Sequence, residues 1–460
     1  ETLNLEELNP QQRKAVEITG GPILIFAGAG SGKTRVLTHK IAYLVKEIGL
    51  PPGNILAVTF TNKAADEMKQ RVQELLNMDI SSMSVGTFHS ISARILRREI
   101  QLLGYSNDFV IYDQDDSRAL VKTVIKDLNL DEKSFVPKAM QAHISKAKNQ
   151  MISPEIFANT VEGFLDEKTS EIYSQYQKAL KSNNALDFDD LLLKPIELFM
   201  EYPQRLEYYQ NKYQYVLVDE YQDTNKPQFE FIQALSREHR DVCVVGDDDQ
   251  SIYSWRGADV NNILNFSDTF GEAHIIKLEQ NYRSTKTILE CAWSVVSKNS
   301  ARAEKKLWTD NKQGEKLSVI ECRDERDESW KILKIIQDET VHGSFGFDDL
   351  VILYRTNAQS RVVEDVLRRE GVPYEIIGGT KFYARKEVKD ILAYLRLIIN
   401  PTDGVSFDRI VNFPVRGIGK TTIEKIHVQA KKNDLSYLQV LEDLGKLSVG
   451  AKQQKSLHEF

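Results

Sequence analysis

Cysteine is scarce. The 460 residues hold three, Cys243, Cys291 and Cys322, widely spaced. That spacing argues against a disulfide framework or a zinc cluster and predicts a reducing, cytoplasmic setting. No apolar run approaches the length of about 18 residues that a membrane-spanning helix needs, so no membrane partner is expected. The opening Glu1–Pro10 is acidic and lacks the basic-then-apolar order of a secretion signal. Positive charge is not in excess either. Sixty Lys and Arg face 67 Asp and Glu, for a net charge of −7. Bulk charge therefore cannot bind nucleic acid as a histone does, although a local basic groove stays open. Repeats and low-complexity tracts are missing.

What is present is an ordinary globular composition, 41% hydrophobic, in a chain long enough for roughly two to four domains. The start alternates strand and helix. Pro22–Phe26 is an apolar run ending in glycines, and Thr34–Val45 puts Val36, Leu37, Ile41, Leu44 and Val45 on one helical face. Ile55–Phe60 reads as a second strand. Asn62–Leu76 reads as a second helix, with Ala65, Met68, Val72, Leu75 and Leu76 at helical spacing. This rhythm predicts a parallel sheet covered by helices on both faces. It stops from about Ile91 to Tyr209, where the pattern is helical. Strands return at Tyr215–Val218, Val242–Val245 and Ile275–Leu278, so the helical stretch reads as an insertion into one α/β domain. A second α/β unit is expected after Leu278, with strands at Leu317–Ile320 and Leu350–Tyr354. From about Val388 the chain turns helical again. The expected layout is 1–90 with 205–280 as a first core, 91–204 as a helical insertion, 281–387 as a partial second core, and 388–460 as the start of a second helical insertion.

Ala27-Gly28-Ala29-Gly30-Ser31-Gly32-Lys33-Thr34 joins the first strand to the first helix and fits the Walker A pattern. Glycines let the backbone N–H groups wrap a triphosphate, and the helix N-terminus adds positive potential. Lys33 should reach the β and γ phosphates and Thr34 should hold Mg²⁺. The pattern's first glycine is Ala27 here, a small residue that serves equally. A glycine turn without a ligand is the bland alternative, and the flanking strand, helix and Lys-Thr pair weigh against it.

ATP chemistry also needs a metal ligand and a base. Asp219 and Glu220 follow the apolar strand Tyr215–Val218. Asp219 is placed to bind Mg²⁺ and Glu220 to orient and deprotonate the attacking water. An Asp-Glu pair alone is usually solvated; after such a strand, in a chain with a Walker A loop, it favours hydrolysis over phosphoryl transfer to a metabolite. A small-molecule kinase is thereby disfavoured.

Eight segments in order carry a resemblance. They are Leu8–Gln12, the Walker A loop, Thr59–Ala65, Gly86–His89, Val218–Asp223, Val245–Ala258, Leu278–Ser284 and Tyr354–Asn357. The chain resembles superfamily 1 DNA helicases of the UvrD/Rep/PcrA type from Leu8 nearly to its end. The resemblance implies two RecA-like parallel-sheet domains of the P-loop NTPase class, each with helical insertions. It implies that Gln12 reads the adenine edge, that Arg35 and Tyr282 sandwich the base, and that Gln250 senses the γ-phosphate. Arg283 is implied to be an arginine finger supplied across a cleft from the second unit. On their own, Gln12 would be a solvated helix residue and Arg283 a surface salt-bridge partner.

Single-strand binding without sequence preference needs aromatic faces for bases and cations for phosphates. The candidates are Phe60, Asn62, His89, Phe188, Tyr253, Trp255 and Arg256, with Arg355 and Asn357 from the second unit. Any one aromatic is more often core than platform. Trp255-Arg256, beside the polar 246–250 stretch, and Phe188, among aspartates, are the best exceptions. The resemblance implies 3′-to-5′ movement on single-stranded DNA, action at single/double-strand junctions, and loading by repair or replication proteins in a bacterial cytoplasm, at the nucleoid. Two later motifs of the family, a ribose contact and a second arginine finger, do not occur in this sequence, so the second core is expected to be incomplete. Two other readings stay open: a nucleotide-gated DNA-binding module with little hydrolysis, and the helicase part of a RecB/AddA-type helicase-nuclease.

Overall fold

Runs of Ile, Leu and Val with no polar interruption can only be buried on both faces, and here they form the middle of one sheet. The computed structural model describes residues 3–300, 302–343, 345–377 and 385–460. Its strands are β1 (Ile23–Ala27), β2 (Ile55–Thr59), β3 (Ser84–Thr87), β4 (Val110–Ile111), β5 (Ala185–Leu186), β6 (Tyr215–Val218), β7 (Val242–Gly246) and β8 (His274–Leu278). Six of them make a sheet of order β3-β2-β6-β7-β1-β8, parallel at every pairing. Alternate side chains of the central strands enter two separate cores. Leu24, Phe26, Leu56, Val58, Val216 and Val218 pack on one face. Ile23, Ile25, Ile55, Ala57 and Leu217 pack on the other, with Val36, Leu37 and Ile41 of the helix Lys33–Lys46. Val45, read as part of that helical face, is only partly buried.

The sequence reading missed β3. It is a short edge strand of Ser-Val-Gly-Thr, with no apolar run to mark it. The helical stretch is an insertion between β3 and β6, and it also contains the two-stranded parallel ribbon β4-β5. At its centre the Lys148 ammonium is buried and paired with Asp187 at 2.7 Å and Asp190 at 2.9 Å.

The described residues fall into two compact units, 1–314 with 393–460, and 315–392. In the first, the C-terminal helices build their own core around Phe407, Ile410 and Ile426. They join the insertion through Arg396–Asp116 at 2.8 Å and a hydrogen bond from the Tyr112 hydroxyl to Asp403.

In the second unit, the helices Glu325–Val341 and Asn357–Arg369 pack through Leu333, Ile336, Val366 and Leu367. The strands expected at 317–320 and 350–354 are not there. Val319 is 100% and Leu353 86% exposed. An apolar run becomes a strand only when a neighbour accepts its hydrogen bonds, and among the described residues these two find none. Among its described residues the second unit is therefore built from packed helices without a sheet.

Candidate active site and nucleic-acid interface

Loops at the carboxyl ends of parallel strands face one crevice, and the predicted residues arrive there from adjacent strands. After β1 the loop Gly28–Gly32 turns through left-handed backbone at Gly30 (φ 65°) and Gly32 (φ 87°). Side chains are excluded at both: a Cβ on Gly30 would meet Arg283 Cβ at 2.6 Å, and one on Gly32 would meet Gln12 Nε2 at 2.7 Å. The helix that follows has 14 residues, and no side chain caps its first N–H groups. Those free donors, with the positive end of the helix dipole, fit a phosphate. Ser31 braces the loop from within, its hydroxyl donating to the Gly28 carbonyl at 2.7 Å.

Lys33 reaches across to β6. Its ammonium donates to both carboxylate oxygens of Glu220, at 2.9 and 2.8 Å. Glu220 itself holds a left-handed backbone, φ 50°, which is rare for a residue with a side chain and typical of functional turns. Asp219 is buried beside it. Burial, and then the charge of Glu220, pushes its carboxyl up to about 6, against the pull of Lys33. A divalent cation would relieve that penalty, so Asp219, with the half-buried Thr34 at the helix start, suits a hard cation.

Gln222 is a functional candidate that the sequence reading did not single out. Its amide donates to Glu220 at 2.8 Å and accepts from the Asp247 backbone N–H at 3.0 Å. It thereby ties the loop after β6 to the loop after β7. Gly246 leaves it room, since a Cβ there would stand 2.5 Å from Gln222 Oε1. In the β7 loop, Gln250 donates to Asp247 Oδ2 at 2.5 Å.

Gln12 is not a solvated helix residue. It is 2% exposed, donates to the Ser31 carbonyl at 2.9 Å and accepts from the Asn9 N–H at 3.1 Å. It clamps the phosphate loop from the helix Pro10–Glu17. Arg35 is ion-paired with Glu7 at 2.6 Å. Tyr282 is half exposed, and its hydroxyl accepts from Asn9 at 2.8 Å.

Arg283 lies against the phosphate loop. The resemblance assigns it to the second unit across a cleft; by its contacts, the segment 281–314 packs with the first unit. The reason is the sheet: β8 lies directly beside β1, so the chain leaving β8 runs over the phosphate loop. Tyr282 N–H donates to the Gly30 carbonyl at 2.9 Å, and Asn281 Nδ2 to the Ala29 carbonyl at 2.5 Å.

The aromatic candidates form two groups. Phe60 and Tyr253 have ring centroids 5.0 Å apart, Tyr253 and Trp255 6.2 Å. The Arg256 guanidinium lies 4.5 Å from the centroid of Trp255. Trp255 is 62% exposed, so this face is not core. Asn62, first residue of the helix Asn62–Leu76, is also exposed. The second group is His89 and Phe188, edge to face at 5.9 Å, with Phe188 47% exposed. Burial holds His89 below the usual histidine range, against a hydrogen bond to the Phe188 backbone. Arg355 and Asn357 are exposed in the second unit, where Asn357 opens the helix that runs to Arg369.

Asn149, which the sequence reading passed over, links the two groups. It donates to Asp189, next to Phe188, at 3.0 Å and accepts from Asn225 at 2.8 Å. Its Cβ lies 3.3 Å from where a Cβ of Gly257, next to Arg256, would stand. Asp189 is pushed up to about 7 by burial and by Asp187, against Lys148 and Ser145. A raised carboxyl favours the folded state when protonated, so its contribution is full below the unfolded value near 4 and is lost as pH rises through about 7. Asp189→Asn should therefore flatten the fall in stability between pH 5 and 8, by about 1–2 kcal/mol. Urea midpoints at both pH values check this, and parallel curves for the two proteins would refute it.

Two family models match in tandem, the UvrD/REP helicase N-terminal domain over residues 8–271 and the UvrD-like helicase C-terminal domain over residues 276–449. The ATP-dependent DNA helicase PcrA of Bacillus subtilis (strain 168) is 49% identical over 456 residues, which cover 99% of this chain and 62% of that protein. The proteins of the same name from Staphylococcus epidermidis (strain ATCC 12228 / FDA PCI 1200) and Staphylococcus aureus (strain NCTC 8325 / PS 47) are 47% identical, with the same coverage. The chain thus spans less than two thirds of the length of these relatives. With both models matched along one continuous sequence, the chain belongs to the UvrD/Rep helicase family.

Proposed function

We propose that this chain is the motor portion of an ATP-dependent DNA helicase that moves along single-stranded DNA. One observation carries the reading. A phosphate loop with an uncapped helix N-terminus and the Lys33–Glu220 pair lie on the same sheet edge as the exposed Phe60, Tyr253 and Trp255 faces. Gln222 and the β7 loop join the two.

In this reading the backbone N–H groups of Gly28–Lys33 and the Lys33 ammonium bind the triphosphate. Glu220, released from Lys33, orients and deprotonates the attacking water. Gln250 senses the γ-phosphate, and Arg283, already on the loop over Gly30, stabilises charge that develops there. Gln12, Arg35 and Tyr282 hold the base. Thr34 and Asp219 would hold Mg²⁺, which when bound would neutralise charge on the phosphates. Phe60, Asn62, His89, Phe188, Tyr253, Trp255 and Arg256 form the DNA track of the first unit, and family membership assigns Arg355 and Asn357 of the second unit to DNA binding as well. The four-part layout, 3′-to-5′ polarity, binding at single/double-strand junctions, loading by repair or replication proteins and a bacterial cytoplasmic setting rest on family membership. Among the described residues no helix is long and apolar enough to cross a membrane.

The test is steady-state ATP hydrolysis with Mg²⁺, with and without a single-stranded oligonucleotide, beside Lys33→Ala. The expected result is hydrolysis stimulated by the oligonucleotide, with both basal and stimulated rates lost in the variant that lacks the phosphate-binding ammonium. Nucleotide-dependent DNA binding without turnover would point instead to a gated binding module.

A further inference from the structure

The carboxylates of Asp247, Asp248 and Asp249 lie close enough together to hold a metal ion, yet the cation among them is a side chain. The Lys305 ammonium pairs with Asp247 at 3.0 Å, Asp249 at 2.9 Å and, closest, Asp248. Arg302 forks onto Asp249 with bonds of 3.0 and 2.7 Å, and the Ala303 N–H donates to Asp248 at 2.7 Å. Lys305 is buried, and the attraction of the three carboxylates outweighs the cost of burial to hold its ammonium above the usual lysine range.

Asp247 is also the acceptor for the Gln250 amide. The same strand of chain then crosses the phosphate loop, where the Leu307 side chain fills the space a Cβ on Gly28 would need. It ends on the Arg283 loop. Trp308 N–H donates to the Glu279 carbonyl at 3.0 Å, Asn281 N–H to the Trp308 carbonyl at 2.8 Å, and the Thr309 hydroxyl to the Asn281 carbonyl at 2.7 Å. Residues 302–309 are thus a strap fixed at one end to the Gln250 loop and at the other to the Arg283 loop.

We propose that Lys305 is a positioning residue for phosphate chemistry, setting Gln250 through Asp247 and transmitting that setting along the strap to Arg283. The inference rests on the proposed function, since it assigns Gln250 and Arg283 to the γ-phosphate. It makes no contact with the nucleotide itself a requirement for Lys305. A displacement of Gln250 by a fraction of an ångström should act on the triphosphate and spare the diphosphate, which has no γ-phosphate to sense.

The experiment compares the whole chain with Lys305→Met in two assays: binding of ADP and of a non-hydrolysable ATP analogue, and kcat and KM for ATP with single-stranded DNA. The expected result is ADP affinity within about twofold of the parent, the preference for the triphosphate reduced, and kcat lowered about 10- to 100-fold, as misplacement of catalytic groups produces. Equal loss of ADP and triphosphate binding would mark a merely structural role and overturn the proposal, as would an unchanged kcat with unchanged preference. If the parent binds nucleotide without hydrolysing it, the helicase reading fails, and the triphosphate preference alone still decides: reduced in Lys305→Met supports the strap, retained refutes it. Should Lys305→Met not fold, Lys305→Met with Asp248→Asn removes one of the stranded charges and is read in the same way.

Discussion

Glu220→Gln should lower the turnover number for ATP by about 10²–10⁴-fold, the range that general-base catalysis supplies, while nucleotide binds at least as tightly as before. The second half of that expectation comes from the ion pair. In the structure Lys33 spends its charge on both oxygens of Glu220, and a phosphate must compete with that carboxylate. A neutral amide of the same shape releases the ammonium and removes a negative charge from beside the γ-phosphate. Asp219 gains as well, because Glu220 is one of the groups that raises its carboxyl. Single-turnover hydrolysis with saturating DNA, together with titration of a fluorescent nucleotide, measures both effects. A loss of turnover under about tenfold would remove Glu220 from the role of base, and weakened nucleotide binding would contradict the competition argument.

Trp255→Ala should weaken single-stranded DNA by about 5- to 150-fold, from the roughly 1–3 kcal/mol that one base-stacking face contributes. Stimulation of hydrolysis by DNA should fall with it. The fold should not suffer. Trp255 is mostly exposed, and exposed substitutions change stability by about 0.5 kcal/mol or less. The Arg256 guanidinium loses its closer ring but keeps Tyr253, whose centroid is 5.2 Å away. Fluorescence anisotropy with a labelled oligonucleotide, alongside a thermal melt, separates the two outcomes. Unchanged DNA affinity, or a melt lowered by several degrees, would show that the ring serves packing instead of bases.

How legible this was depended on range. The strand Tyr215–Val218 and the helix Asn62–Leu76 follow from local pattern and have the predicted bounds. The phosphate loop was legible because its chemistry is written in consecutive residues. Strand β3 was not, since Ser84 and Gly86 carry no hydrophobic signal and only pairing with β2 makes them a strand. The opposite error occurred at 317–320 and 350–354, where apolar residues without a ladder partner remain irregular. Gln222 and Lys305 escaped for one reason: their partners lie 25 and 57 positions away, and a single side chain in a polar stretch says nothing about what it will meet. That Arg283 lies over Gly30 was not legible, because it depends on where β8 docks, a question of topology and not of composition.

The position of β1 has a consequence for how the protein is made. Its two neighbours are β7 and β8, so Ile23 pairs with Cys243 and with His274. More than two hundred residues must follow the phosphate loop out of the ribosome before the strand that carries it acquires either partner. At roughly 5–20 residues per second, that is a wait of some tens of seconds, during which Ile23–Ala27 is an unpaired, fully apolar edge. The helical insertion, whose core of Val121, Ile125, Ile172 and Tyr176 is complete by about residue 190, can condense during that interval. The order of synthesis therefore lets the insertion fold before the strand that carries the phosphate loop gains either of its neighbours.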